Sequence, residues 1–564
     1  MSNAVRALSR VALGVAAAVA PWLAPSVWAQ SVVLTVPTTA AGAPITGRAF
    51  VFISRTNRAE PRLQSGSTRT SEPFFGVDVS GLAPGGRVTI DAATPGFPVA
   101  SLGSLPAGTY FVQGLLLPYT QFRRADGHTI WAHMDEWEGQ RFNSAPGSLV
   151  SEVQQIRIDP ANSAPISLSL TKKLPPVATI GDTPWVQRIK FDSKRVSAFW
   201  GHPMPIGAVV LLPKGYAANP TKRYPVVYTI GHFSNRAPFG FTQQGCDTPE
   251  SATARAVRLA RSARETACEF SAAWTAGNVP EFIAVFIQHP TPFYDDSYVV
   301  NSANNGPYAD ALVQELIPEI DQRYRTVASA HARMLTGGST GGWDVLALQI
   351  QHPTIFGGVW SLYPDQVDFR NYQFGNIYTD SNAFVMHRGD WLPREIPSSR
   401  NAEGMTELTV REENAAELVI GSNGRSGGQW DGWVAAWAPV GSDGYPKQLW
   451  DKRTGAIDHE VAEAMRAKGY DLRDYLERNW QSVGPQLVGK LHIAVGDMDN
   501  YFLNLGVYHL ETFLESTKQP GKGPSYGGTI AYGRPLKPHG WQPWSNQELL
   551  RIMAKQVEAG ARRE

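Results

Sequence analysis

The chain has 564 residues, of which 43% are hydrophobic and 18% charged, and its formal net charge is +1. That composition excludes a disordered chain, and the absence of any Lys/Arg block or RNA-binding motif excludes a basic nucleic-acid protein. The length is too great for one ordinary core, so two or three folded units are expected. The 53 Gly and 41 Pro point to many turns and long shaped loops, while the 17 Trp either fill cores or line grooves for flat or sugar-like ligands.

Residues 1–29 read as a secretory signal. Arg6 and Arg10 supply a positive start, Val11 to Ala20 a short apolar run, and Val27-Trp28-Ala29 the small residues before a cleavage site at Gln30. Pro21 and Pro25 and the short run argue against a spanning helix, and no later segment is long and apolar enough to span a bilayer. Cleavage would take the charge to −1 and place the protein in the periplasm or outside the cell. In such a compartment the two cysteines, Cys246 and Cys268, either form one short local disulfide or stay two unrelated buried thiols.

Residues 30–175 read as all-β and β-sandwich-like. Strand candidates are Ser31 to Val36, Phe50 to Ile53, Arg87 to Ile90, Thr109 to Gly114 and Pro165 to Leu170, separated by Gly/Pro turns without a good amphipathic helix. Lys172-Lys173-Leu174-Pro175-Pro176 reads as a linker.

From about 180 to 564 strands alternate with helices, which predicts an α/β fold with a mostly parallel sheet covered on both faces. Strands are expected at Pro225 to Ile230, Phe282 to Ile287, Arg333 to Thr336, Gly358 to Leu362, Lys490 to Val495 and Gly528 to Tyr532. Helices are expected at Asp310 to Tyr324, kinked at Pro318, and at Trp343 to Gln351. An insertion at about 366–488 is far longer than an ordinary connection and holds Trp391, Trp430, Trp433, Trp437, Trp450 and Trp480. It reads equally as a lid over a site and as a structural subdomain beside the sheet.

Gly337-Gly338-Ser339-Thr340-Gly341 matches the nucleophile elbow G-x-S-x-G, in which small flanking residues let a strand turn sharply into a helix and expose the serine. The helix that follows aims its positive end at a developing oxyanion. The motif alone is weak, and Gly424-Arg425-Ser426-Gly427-Gly428 matches it too. Context favours Ser339, which has a strand before it and an apolar helix after it; Ser426 follows a helix ending at Gly421.

In an α/β-hydrolase the triad runs Ser, acid, His in chain order. Asp499, just past a late strand, is the expected acid, with Asp497 in reserve and Asp365 or Asp368 as a third option. Each could equally be a loop carboxylate capping a turn. His539, in a loop after the last strand, is the expected base, whereas His509 falls in a helix. The oxyanion donors are expected to be the backbone N–H of Thr340 and one from Gly231-His232-Phe233. No metal or organic cofactor is called for by any ligand spacing.

These residues resemble the putative esterase family, which includes esterase D, enterochelin esterases, mycolyl transferases and some feruloyl esterases. The resemblance is carried by Tyr224-Pro225-Val226-Val227-Tyr228, by Glu315 to Asp321 with Tyr324-Arg325, by Gly337 to Gly342, and by His352-Pro353 with Phe356-Gly357-Gly358. It implies the α/β-hydrolase fold and a serine esterase acting through an acyl-enzyme on a small-molecule or glycan-linked ester. The acyl group and the alcohol stay open. The chain departs from the family in having Gly231-His232 where His-Gly is usual, and in its insertion. An acyltransferase to a sugar or lipid hydroxyl, and a non-catalytic glycan-binding protein on the same fold, are the competing readings.

Overall fold

The computed structural model describes residues 30–562 except 160, 161, 163, 261–264, 387, 388 and 390. The expected signal segment, 1–29, lies outside the described residues. Among those residues no helix is long and apolar enough to cross a membrane.

The N-terminal region is all-β. Val32–Thr35 pairs parallel with Ile166–Ser169 and antiparallel with Arg87–Ile90, forming a small three-stranded sheet. It faces a seven-stranded sheet built around Ile45–Ser54, Phe74–Leu82 and Gly108–Pro118. Alternation sorts the side chains: Val51 and Ile53 join Val32, Leu34, Val112 and Leu168 between the sheets. Phe50 and Phe52 point the other way and also find cover, against Ala416, Val419 and Ile420 of the insertion. Burial on both faces is why this strand reads as a continuous apolar run instead of alternating. Lys172–Lys173, expected in a linker, instead pair antiparallel with Leu149–Val150 as an edge strand, a place where exposed lysines suit an unpaired edge.

The C-terminal sheet has eight strands: β1 (Val186–Asp192), β2 (Pro205–Leu211), β3 (Val226–Ile230), β4 (Ile283–Gln288), β5 (Arg333–Gly338), β6 (Gly358–Leu362), β7 (Leu491–Gly496) and β8 (Thr529–Gly533). Their order is β1-β2-β4-β3-β5-β6-β7-β8. β2 runs antiparallel to β1 and β4, and β3 to β8 are parallel. This is the α/β-hydrolase sheet, with its reversal of strand order at β3–β4. Ligands of such sheets sit beyond the carboxyl ends of the strands. α1 (Thr340–Gln351) follows β5 directly. The expected Asp310–Tyr324 helix spans Tyr308–Arg323 with a π-helical stretch at Leu312–Leu316, immediately before Pro318. Proline has no N–H for the regular ladder, and the ladder shifts ahead of it.

The insertion between β6 and β7 contains α2 (Val410–Ile420) and α3 (Gln429–Trp437), followed by two further helices, His459–Ala467 and Leu472–Leu487. Trp430, Trp433, Trp437 and Trp450 are buried around Tyr372, with Trp430 and Trp433 edge to face at 4.7 Å. The N-terminal region docks on this insertion. Arg48 pairs with Asp78 at 2.7 Å and donates to the carbonyls of Leu418 and Val419, satisfying carbonyls at the end of α2 that have no helical partner. Cys246 and Cys268 are joined in a disulfide.

Candidate active site

Ser339 stands between β5 and α1 at φ +59°, ψ −125°, a conformation that a non-glycine residue adopts only when its surroundings enforce it. The turn closes because Gly341 has no side chain: a Cβ there would lie 1.9 Å from the carbonyl oxygen of Ile230. Thr340 opens α1, so its N–H is among the first-turn donors that no helical carbonyl can satisfy. The Ser339 N–H bonds to Leu362 O at the end of β6 (3.1 Å), and the Asp365 N–H returns to Ser339 O (3.2 Å).

Asp499 and His539 arrive from the next two strand ends. The Gly496 turn after β7 and the Lys537–Pro538 segment after β8 approach so closely that a Cβ on Gly496 would lie 2.2 Å from Lys537 O. That contact brings His539 Nδ1 to 2.8 Å from Asp499 Oδ2. Asp499 is fully buried, and its other oxygen accepts the Tyr501 N–H at 2.9 Å. The His539 N–H bonds to Asn500 Oδ1 (2.9 Å), and Tyr363 and Tyr501 hold the ring edge to face at 4.8 and 4.9 Å.

The other acids have different occupations. Asp497 accepts the Lys537 N–H at 2.9 Å and so braces the His539 loop. Asp368 caps the short helix Phe369–Asn371 and pairs with Arg370. Asp365 accepts hydrogen bonds from Tyr298 (2.7 Å), Trp433 (3.1 Å), Thr340 (3.2 Å), Gln429 (3.4 Å) and Ser339 (3.4 Å). Ser426 is buried at the start of α3, where its Oγ accepts the Gly428 N–H at 2.9 Å; it serves a turn. His509 bonds to Asn371 Oδ1 at 2.9 Å, on the helix expected for it.

Ser339, His539, Asp365 and His232 line one cavity of about 300 Å³, together with Gln373, Glu413, Gln429, Trp433 and Tyr501. Trp433 thus brings the insertion to the site, while Trp430 and Trp450 stay in its core. Sequence reasoning missed Gln373, Glu413, Gln429 and Tyr501, because no local motif marks residues that long-range folding delivers. Phe233 turns away, its ring packing edge to face on Trp137 of the N-terminal region at 5.2 Å. His232 Nδ1 lies 3.2 Å from Asp295, and its half-exposed side chain is among those lining the cavity. Burial pulls its pKa down, but Asp295, with Asp296 and Asp365 behind it, holds it up at about 9. Burial likewise pushes the Glu413 carboxyl up, against the hydrogen bonds from Trp430 and Ser398.

Among the described residues one group could hold a metal by spacing: His289, Asp296 and Asp344, buried, with candidate ligand atoms within 4.8 Å of one another. The hydrogen bonding does not fit a cation. His289 Nδ1 accepts the Ser297 N–H at 3.1 Å, so the ring hydrogen sits on Nε2, the nitrogen that faces Asp296 at 3.7 Å. A metal would need that lone pair free. Burial raises both carboxyls; Asp296 raises Asp344 further, while His289 and a hydrogen bond with Asp344 oppose the rise of Asp296, which suits a pair that retains one proton.

No curated protein matches the chain. Among the solved structures that align with it are a ferulic acid esterase (13% identity, 66% of this chain and 97% of that one, TM-score 0.36), a fluorophosphonate-binding serine hydrolase of Staphylococcus aureus (12%, 66% and 98%, 0.31) and an S-formylglutathione hydrolase of Agrobacterium tumefaciens (10%, 68% and 95%, 0.29). Residues 201–368 match the family model described as Putative esterase. The matched span runs from just before β2 to just past β6 and contains the Ser339 elbow, while Asp499 and His539 lie beyond it. The chain is therefore similar to the putative esterase family over residues 201–368, a span that lies within its α/β-hydrolase sheet.

Proposed function

We propose that the protein is an exported serine esterase in which Ser339 is the nucleophile, His539 the general base and Asp499 the acid that orients it. The observation that carries this reading is the shared cavity: a serine forced to positive φ at a strand-to-helix turn, and a histidine bonded through Nδ1 to a fully buried aspartate. With Nδ1 bonded to Asp499, Nε2 is left for the serine proton. Ser339 Oγ attacks the ester carbonyl carbon as His539 takes its proton. The negative charge passes to the carbonyl oxygen, which the N–H groups of Thr340 and of the 231–233 loop would stabilise. The carbon–alkoxy bond then breaks, and His539 returns the proton to the leaving alkoxide. Water, activated by the same imidazole, releases the acid from the acyl-serine.

His232 sets its charged ring beside this cavity and adds to the stabilisation of a developing oxyanion. Export is supported by the pattern of residues 1–29 and is compatible with the Cys246–Cys268 disulfide. The test is covalent labelling of the purified protein by a fluorophosphonate probe, with peptide mapping of the adduct. Modification at Ser339 together with turnover of simple aryl esters is expected. A protein that neither labels nor hydrolyses any ester of a broad acyl panel would be a binding protein on this fold.

A further inference from the structure

A second cavity, about 620 Å³, adjoins the one at Ser339, and the two share Glu413, Tyr501 and His539 as a common wall. The outer cavity is where three parts of the chain meet. Loop residues Ser67, Thr68, Arg69 and Thr70 come from the N-terminal β region, Glu407 and Glu413 from the insertion, and Tyr501 and His539 from the hydrolase sheet. We infer that this cleft binds the alcohol half of the ester, that this half is a neutral, polyhydroxylated, sugar-like group, and that the 67–70 loop is a specificity-determining part of the site. The inference rests on the reading of Ser339 and His539 given above.

The assignment of halves follows from the chemistry. When the tetrahedral intermediate collapses, the acyl group stays on Ser339 and the alkoxy oxygen departs with a proton from His539. The departing oxygen must therefore lie on the His539 side. His539 is the wall between the cavities, so the acyl group occupies the inner space and the alcohol extends into the outer one. The inner cavity, about half the volume, suits a compact acyl group.

The lining gives the class of alcohol. Hydroxyls of Ser67, Thr68 and Thr70 both donate and accept, and the carboxylates of Glu407 and Glu413 accept. Tyr501, 38% exposed, offers a ring to an apolar sugar face. A lipid alcohol would meet little beyond Leu408 for its chain. The loop is held in place for this task. Arg69 makes a bidentate bond to Glu412 (2.6 and 2.7 Å), and Glu412 is itself tied into the capping box that starts α2. Thr68 and Ser71 hydroxyls bond at 2.8 Å across the turn.

Two readouts on the full-length protein test this. The first compares p-nitrophenyl acetate with an acetylated methyl xyloside, which carry the same acyl group on different alcohols. Thr70→Trp, which fills the cleft, should lower kcat/KM for the sugar ester at least tenfold more than for the aryl ester, mainly through KM, because the small planar nitrophenyl group uses less of the cleft than a sugar does. Arg69→Ala should act in the same direction. The second is independent of turnover: saturation-transfer NMR with xylotriose and cellotriose on Ser339→Ala protein, where transfer is expected and should vanish in the Ser339→Ala, Thr70→Trp double variant. Binding without any hydrolysis by the wild type would sink the esterase reading and leave the sugar cleft standing. No transfer from either sugar, or an equal fall for both esters in Thr70→Trp, would overturn the inference.

Discussion

The hydroxyl of Ser339 faces Asp365 Oδ1 at 3.4 Å, and no hydrogen bond joins it to His539, although both residues line the same cavity. Catalytic hydrogen bonds are often long in the ligand-free state and tighten on substrate binding. Ser339→Ala should lower ester turnover by about three orders of magnitude or more and abolish probe labelling, with an unchanged circular dichroism spectrum. Wild-type turnover in that variant would remove Ser339 from the mechanism.

Asp365→Asn separates support from catalysis. Its carboxylate collects five side-chain donors, and an amide would turn its own N–H₂ toward some of them. A loss of about 1–3 kcal/mol in folding stability is expected from the unmatched donors, read by urea denaturation. A stability equal to wild type would show that the donors find water or each other.

The two neighbouring aspartates after β7 make a sharper contrast. Asp499→Asn puts an amide against His539 Nδ1 and favours the wrong tautomer, so kcat should fall by about three to four orders of magnitude. Asp497→Asn keeps an oxygen able to accept the Lys537 N–H, so a change of less than about tenfold is expected. Steady-state kinetics of both variants with one substrate decides the assignment, and the reverse ranking would move the acid to Asp497.

His232 gives the site a pH dependence on the alkaline side. Burial opposes its charge, but Asp295, Asp296 and Asp365 hold its pKa at about 9, so the ring is cationic at neutral pH. Its contribution to stability is complete below the ordinary histidine value of about 6.5 and is lost as pH rises through about 9. Its help to an oxyanion disappears over the same upper range. In wild type kcat/KM should therefore fall above about pH 9, and in His232→Gln that descending limb should be absent, with a lower plateau. An identical alkaline limb in both proteins would assign it to another group.

Much of this architecture is legible in the amino-acid sequence, for reasons that differ by element. The strands β3, β4 and β6 are short apolar runs bounded by turn residues, and burial on both faces made them conspicuous. The Ser339 elbow could be told from Ser426 because only one serine follows a strand and precedes an apolar helix. Lys172–Lys173 escaped notice because an edge strand of two lysines has neither alternation nor hydrophobicity. The positions of Asp365, Gln429 and Tyr501 depend on how an insertion of four helices folds back over the sheet, and no local pattern encodes that return. The tryptophans showed the same limit: composition allowed core or groove, and the fold puts Trp430 and Trp450 in one and Trp433 at the other.

The insertion that delivers these residues is itself pinned by a buried charge cluster. Lys452 Nζ, buried, pairs with both Glu417 of α2 and Asp431 of α3. Lys452→Met would strand two buried carboxylates. Burial already pushes Glu417 up to about 7, with Lys452 opposing and Asp431 adding to the rise. A loss of about 3–5 kcal/mol is expected, read by chemical denaturation at neutral pH. Because the folded pKa of Glu417 lies above its unfolded value, the variant should recover part of this loss as pH falls below about 5, where the carboxyls can take protons. An equal deficit at all pH values would mean that the lysine acts through packing alone.

Asp344 lies on α1, five residues past Ser339, and is fully buried against Asp296 and His289. Burial, then Asp296, raises its pKa well above the ordinary value of 3.8. A carboxyl with a raised folded pKa is most favourable to folding below its unfolded pKa, and that contribution erodes as pH climbs toward the folded one. Asp344→Asn keeps the shape, carries no charge at any pH, and its amide can donate to Asp296 in place of the shared proton. The variant should therefore match wild type near about pH 4 and become more stable than it by about 1–3 kcal/mol near pH 8, with the difference growing between. EDTA should leave the wild-type denaturation midpoint unmoved, because the Ser297 N–H occupies His289 Nδ1 and places the ring hydrogen where a metal would bind. If instead Asp344→Asn were destabilised at pH 8 and EDTA lowered the wild-type midpoint to the same level, the three side chains would be metal ligands and the shared proton would be wrong.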